Sequence, residues 1–183
     1  MKKYEFTGET KEIRLLFRTA TLHRIRATVA FGIVEVGDLG GWIEKEENLS
    51  HEGKAWVWGN AKVCGDAKVC GDAEVCGDAE VWGDAKVWGN AEVCGDAKVF
   101  SASHVLVIGA IGSRNDFTTF YRDKDNEITV KCGCFLGKID RFLEKVTQTH
   151  GDSKYALVYR AAVEVAKLQI DLSGEAPKDA DEE

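Results

Sequence analysis

From Ala55 to Ala102 the sequence repeats one six-residue unit eight times without interruption: AWVWGN, AKVCGD, AKVCGD, AEVCGD, AEVWGD, AKVWGN, AEVCGD, AKVFSA. Each unit reads Ala, variable, Val, variable, Gly, then Asp or Asn, and the last one degrades to Ser101-Ala102. Ala and Val stand two apart, so extended backbone turns both to one side and the variable positions to the other. Gly followed by Asp or Asn tolerates the positive φ of a corner. Four extended residues and a two-residue corner make one side of a coil, and so short a period marks a solenoid. A meander of hairpins competes with this reading, but the favoured hairpin order is Asn-Gly or Asp-Gly, the reverse of what stands here. The expected fold class is therefore mainly β, with a parallel β-helix over residues 55–102.

The units resemble the hexapeptide-repeat left-handed β-helix family, in which three hexapeptides make one triangular coil. That resemblance, and not the period, supplies the left hand and the three sides. It implies that residues 18 apart stack. The variable positions then form ladders: Lys62, Glu80 and Lys98, alternating in sign; Lys68 and Lys86; Trp56, Glu74 and Glu92. Nearer the corners the stacks are Trp58–Cys76–Cys94, Cys64–Trp82–Phe100 and Cys70–Trp88. Fewer than three coils with both ends open do not make a comfortable domain, so end caps, self-association or both are expected. β-Helices of this family are commonly homotrimers, and Trp82, Trp88 and Phe100, expected on the outside, are the candidate interface residues.

The net charge of -7 leaves no overall basic field to draw the chain onto nucleic acid or an anionic membrane. No apolar run approaches the roughly 20 residues that span a bilayer, and the start, Met1-Lys2-Lys3-Tyr4-Glu5, lacks a signal peptide's apolar segment, so a cytoplasmic location is expected. Four of the six cysteines (Cys64, Cys70, Cys76, Cys94) share one phase of the repeat with Trp and Phe and read as small apolar side chains. Their spacing of six or more does not suit a metal cluster, and no metal or cofactor is expected.

Residues 1–54 read as an N-terminal cap and first coil. Tyr4–Phe6 and Ile13–Phe17 pattern as short strands, and Leu22–Ala27 as a strand or short helix. Counting back six from Ala55 and Gly59 reaches Leu49 and Gly53, which carries the repeat phase one unit earlier. The order K-Y-x-F, then Gly37-Asp38-Leu39-Gly40-Gly41-Trp42-Ile43, Asn48-Leu49-Ser50 and the repeats is similar to uncharacterised hexapeptide-repeat proteins of phages, prophages and bacteria. The resemblance covers residues 1–102 and implies a mobile-element origin, with the host cytoplasm as location, but no known chemistry.

Residues 103–172 read as a small α+β module. Ser103–Gly109 is one apolar strand-like run; Phe117–Arg122 and Glu127–Cys132 alternate as two strands across the turn 123–126. Ile139, Phe142, Leu143 and Val146 fall at helical spacing in a helix ending near His150-Gly151. A second helix, capped by Asp152 or Ser153, runs to about Gln169 with Tyr155, Val158, Ala162 and Val165 on its inner face. Residues 173–183 read as an acidic, disordered tail. The module resembles a terminal unit of phage-encoded proteins through Gly112-Ser113-Arg114, Thr118-Thr119, Tyr121, Cys132-Gly133-Cys134-Phe135 and His150-Gly151.

Those motifs gather polar and aromatic groups in a segment whose helices otherwise read as packing. Arg114, Thr118, Thr119, Tyr121 and His150 are the candidate ligand-binding residues, for a small anion, a nucleotide or a host protein. The expected function is that of a non-catalytic oligomeric binding protein; in a phage setting its sharpest form is counter-defence, by sequestering a host signalling nucleotide or blocking a host immune protein. One alternative is an acyl- or acetyltransferase of the hexapeptide class, which needs a histidine base. None lies within residues 55–102, and only His51 and His104 flank them. The other alternative is a purely structural assembly protein.

Overall fold

The structure, a computed structural model, describes residues 2–15 and 18–173. The acidic tail expected from residue 173 onward, and Leu16 and Phe17 of the expected second strand, lie outside the described residues apart from Ser173.

The repeats form a parallel β-solenoid of about three turns. Each contributes a two-residue strand: β4 (Trp56–Val57), β5 (Lys62–Val63), β6 (Lys68–Val69), β7 (Glu74–Val75), β8 (Glu80–Val81), β9 (Lys86–Val87), β10 (Glu92–Val93) and β11 (Lys98–Val99). β4, β7 and β10 pair in parallel on one side, β5, β8 and β11 on a second, and β6 and β9 on the third. Every pairing joins residues 18 apart, as in Lys62↔Glu80 and Lys68↔Lys86. The repeat alanines and valines fill the interior, each at most 1 % exposed. The corner glycines hold φ near +56 to +73, and a Cβ on Gly77 would stand 2.8 Å from the Gly95 nitrogen one coil on. Positive φ and coil spacing both demand glycine there.

On the first of the charged ladders Glu80 is buried between two ammonium groups, Lys62 at 2.9 Å and Lys98 at 2.6 Å. Cys76 and Cys94 are bonded as a disulfide, with Cα atoms 4.5 Å apart. This corrects the reading of all four repeat cysteines as plain apolar side chains. Only these two differ by one coil; Cys64 and Cys70 stand over Trp82 and Trp88 and stay free.

The N-terminal segment does more than cap. β1 (Tyr4–Leu15) and β2 (Arg18–Ala27) form a long antiparallel hairpin, and β2 pairs with β3 (Leu39–Ile43), which continues the β5-β8-β11 side. The distal half of the hairpin lies against the outside of that side: Ile13, Leu15 and Leu22 pack on Cys64, Trp82, Trp42 and Phe100. Trp82 is consequently only 6 % exposed and Phe100 half-buried, which corrects the expectation that both stand free for an interface; Trp88, on the β6-β9 side, is 67 % exposed. The first coil is also longer than the repeat. Trp42↔Lys62 and Leu49↔Val69 are 20 apart, so Leu49 takes the valine position, not the alanine one; Gly53 regains the 18-residue phase over Gly71.

The C-terminal module is an antiparallel sheet of β12 (Val105–Ile111), β13 (Asp116–Arg122), β14 (Ile128–Cys132) and β15 (Phe135–Lys138), followed by α1 (Ile139–His150) and α2 (Lys154–Gln169). Phe120, Val130, Phe142, Val146, Tyr159 and Val163 form a second core, between the sheet and the two helices. The buried face of α2 is Ala156, Tyr159, Ala162, Val163 and Ala166. Of the four residues expected there only Ala162 is buried, while Tyr155, Val158 and Val165 are exposed. Apolar residues lie on both sides of this helix, so periodicity alone does not say which side turns inward.

Candidate functional site

β13 is the hinge between the two cores, because successive side chains on a strand face opposite ways. Phe120 turns toward the helices, whereas Tyr121 joins the solenoid core. There Thr119 and Tyr121 close the last coil. The Glu92 N–H donates to Thr119 Oγ1 at 3.0 Å. The Tyr121 hydroxyl accepts from the Cys94 N–H at 3.3 Å and donates to the Cys94 carbonyl at 3.0 Å. An exposed strand edge is a row of unpaired backbone groups, and these two side chains satisfy part of it. Burial raises the Tyr121 phenol well above its usual value. Both residues, expected as ligand contacts, are engaged in structure instead.

The opposite end is closed in the same manner. The buried Lys3 ammonium donates to the Ala55 carbonyl at 2.7 Å, and the Tyr4 hydroxyl lies 2.9 Å from the Leu49 carbonyl. Burial lowers the Lys3 pKa to about 8. Asn48 donates through Nδ2 to Gly65 and Ala67 carbonyls. His51 stacks on Tyr4, and its Nδ1 accepts from the Lys3 N–H at 3.2 Å. Back at the β13 end, His104 is buried, with Nδ1 accepting from the Phe100 N–H at 3.2 Å and Arg122 beside Nε2 at 3.4 Å. Burial, then the Arg122 charge, hold its pKa below the usual imidazole value.

The remaining motif residues do assemble. Gly112 has φ +72, and a Cβ there would lie 1.9 Å from the Tyr159 hydroxyl; Gly133 has φ +56, and its Cβ would meet Arg114 Nη1 at 2.3 Å. Two missing side chains thus admit a phenol and a guanidinium. The Tyr159 hydroxyl sits beside Ser113 and Cys132, and burial followed by the Cys132 thiol raises its pKa. Thr118 Oγ1 donates to Cys132 Sγ at 3.3 Å but is fully buried. Arg114 Nη2 lies 4.0 Å from the exposed Cys134, and the His150 ring lies 5.8 Å from that of Tyr159. Ser113 and His150, both beside the buried Tyr159, reach the surface with Arg114 as a rim, and Thr118 is buried behind it. Arg114 is exposed and has no ion-pair partner among the described residues. No protein-family model matches the chain, and no curated protein matches it.

Tyr159, buried behind the rim, is the site residue that sequence reasoning misses. The available signal was its place at helical spacing from Val163 and Ala166; reading the inner face one residue out of phase hid it. A concavity of roughly 730 Å³ lies between hairpin and solenoid over Leu15, Trp82 and Phe100. Both its cations are already paired, Arg18 with Glu44 and Lys45 with Asp66 at 3.0 Å. It offers an anion no free charge. Among the described residues no helix is long and apolar enough to cross a membrane, and no group of three or more His, Cys, Asp or Glu could hold a metal ion.

Proposed function

We propose that this is a non-catalytic, self-associating binding protein, in which a β-solenoid closed at both ends supports a C-terminal module that receives an anionic ligand at the Arg114 rim. The observation that carries the reading is Arg114 itself: an exposed guanidinium laid over Gly133, one residue on from the exposed Ser113, with no carboxylate neutralising it among the described residues. Guanidinium with a serine hydroxyl is a donor set for phosphate or carboxylate. His150 offers a half-buried ring face on which a base can stack, so a nucleotide is the ligand class that uses the whole rim. With the resemblance to phage proteins, the sharpest form is sequestration of a host signalling nucleotide.

The acyltransferase alternative is disfavoured by the state of the flanking histidines. His51 and His104 each use Nδ1 to accept a backbone N–H, and burial lowers both pKa values. The trimer implied by the resemblance loses Trp82 as a contact and keeps Trp88. Native mass spectrometry of freshly purified protein tests the reading, because it reports assembly and retained ligand together. An oligomer carrying a small anionic compound, lost in Arg114→Ala, is the expected result; a ligand-free monomer, or retained acyl-CoA, removes the proposal.

A further inference from the structure

α2 is apolar on two opposed sides. Ala156, Tyr159, Ala162, Val163 and Ala166 pack inward. About half a turn away, at 3.6 residues per turn, Leu157, Val158, Ala161, Val165 and Leu168 form a second stripe that faces solvent. Leu168 is 90 % exposed, Leu157 58 %, Val165 48 % and Val158 41 %. A surface helix normally sets a charged face opposite its buried stripe, and a helix apolar on both sides is built to be covered on both. Residues 174–183 are acidic and hold no large apolar side chain to match the stripe.

We infer that the outer stripe of α2 is the seam by which the chain pairs with a second copy of itself, the two helices lying antiparallel. Val158, Ala161, Val165 and Leu168 are spaced three, four and three, the a and d positions of a knobs-into-holes seam. That spacing reads the same in both directions. A two-fold axis at the level of Val163 therefore sets Val158 against the partner's Leu168 and Ala161 against the partner's Val165. Charge selects the direction. Lys154 is exposed on the same side of the helix at its start, and Asp171 is exposed just beyond its end. Antiparallel pairing brings Lys154 to the partner's Asp171 and to the negative end of the partner's helix; parallel pairing would stack the two Lys154 side chains. A seam one helix long is small, so the dimer belongs to the weak, concentration-dependent class.

This rests on the self-association in the reading above and is independent of the Arg114 rim. Sedimentation equilibrium from low micromolar to about 0.5 mM protein tests it, over the range where weak complexes form. A monomer–dimer equilibrium is expected. Val165→Glu, at an exposed position, weakens it about tenfold or more with an unchanged circular dichroism spectrum. Lys154→Glu and Asp171→Lys each weaken it, and mixing the two proteins restores it in a heterodimer. A monomer throughout, a trimer, a dimer indifferent to Val165→Glu, or a mixture that does not recover overturns the inference. Nucleotide titration of Val165→Glu keeps the two readings apart: heat retained there shows that failure of the seam leaves the rim standing.

Discussion

The Tyr121 hydroxyl closes a two-bond ring on Cys94, taking its N–H at 3.3 Å and giving its own proton to the Cys94 carbonyl at 3.0 Å, so one phenol replaces the strand that would have followed β10. Tyr121→Phe leaves both backbone groups buried without partners and should cost about 1–3 kcal/mol. Thr119→Val, which frees the Glu92 N–H, should cost a similar or smaller amount. Urea unfolding measures both. Hydrogen exchange should localise the loss of protection to Glu92 and Cys94.

Trp82 is a clasp and not a contact surface. It lies under Leu22 of the N-terminal hairpin and edge-on to Phe100 at 4.7 Å between ring centroids. Trp82→Ala should destabilise the chain by about 3–5 kcal/mol, as truncation of a buried aromatic does. The association constant measured by sedimentation should not change. A folded protein of unchanged stability but weakened association would show that Trp82 serves an interface instead.

The Cys76–Cys94 bond closes a loop of 18 residues. Thiol titration of the unfolded protein should count four free thiols without reductant and six with it. Reduction, or the Cys76→Ser/Cys94→Ser pair, should lower stability by about 3 kcal/mol on the loop-entropy account, with the coil register kept by the ladder bonds around it. Equal stability in both states would mean that the bond constrains nothing.

Acid should loosen both ends of the solenoid before the carboxylates titrate. Burial depresses the folded-state pKa of His104 and of His51, so the unfolded chain binds more protons in the window below about 6.5 and stability falls as pH falls through it. His104→Asn, which keeps an acceptor for the Phe100 N–H but does not titrate, should flatten that slope. Thermal unfolding between pH 7.5 and 5 is the measurement, and an unaltered slope in the variant would assign the effect elsewhere.

How much of this was legible in the sequence differs by level. The repeat and the family resemblance placed the 18-residue stacking, and Lys62–Glu80–Lys98 is the salt-bridged ladder they imply. The same stacks also placed Cys76 over Cys94, but shared phase with Trp and Phe made the thiols look merely apolar. The hairpin over Trp82 was not legible, since it depends on contacts between Leu22 and repeat residues as far along the chain as Trp82. Period-2 alternation put Thr119 and Tyr121 on one side of β13, yet could not say that this side meets the solenoid. Arg114 and His150 kept an accessible place on the rim because no backbone end needed them, and Thr118 lies behind it.

The proposed function depends on whether Arg114 holds an anion. Isothermal titration of the wild type, Arg114→Ala and Thr119→Val against a panel of cyclic and ADP-ribose-type nucleotides decides it. Heat with at least one nucleotide in the wild type and in Thr119→Val, and at least about tenfold weaker binding in Arg114→Ala, is the predicted result. No heat with any of them, or equal affinity in Arg114→Ala, would show that Arg114 holds no nucleotide.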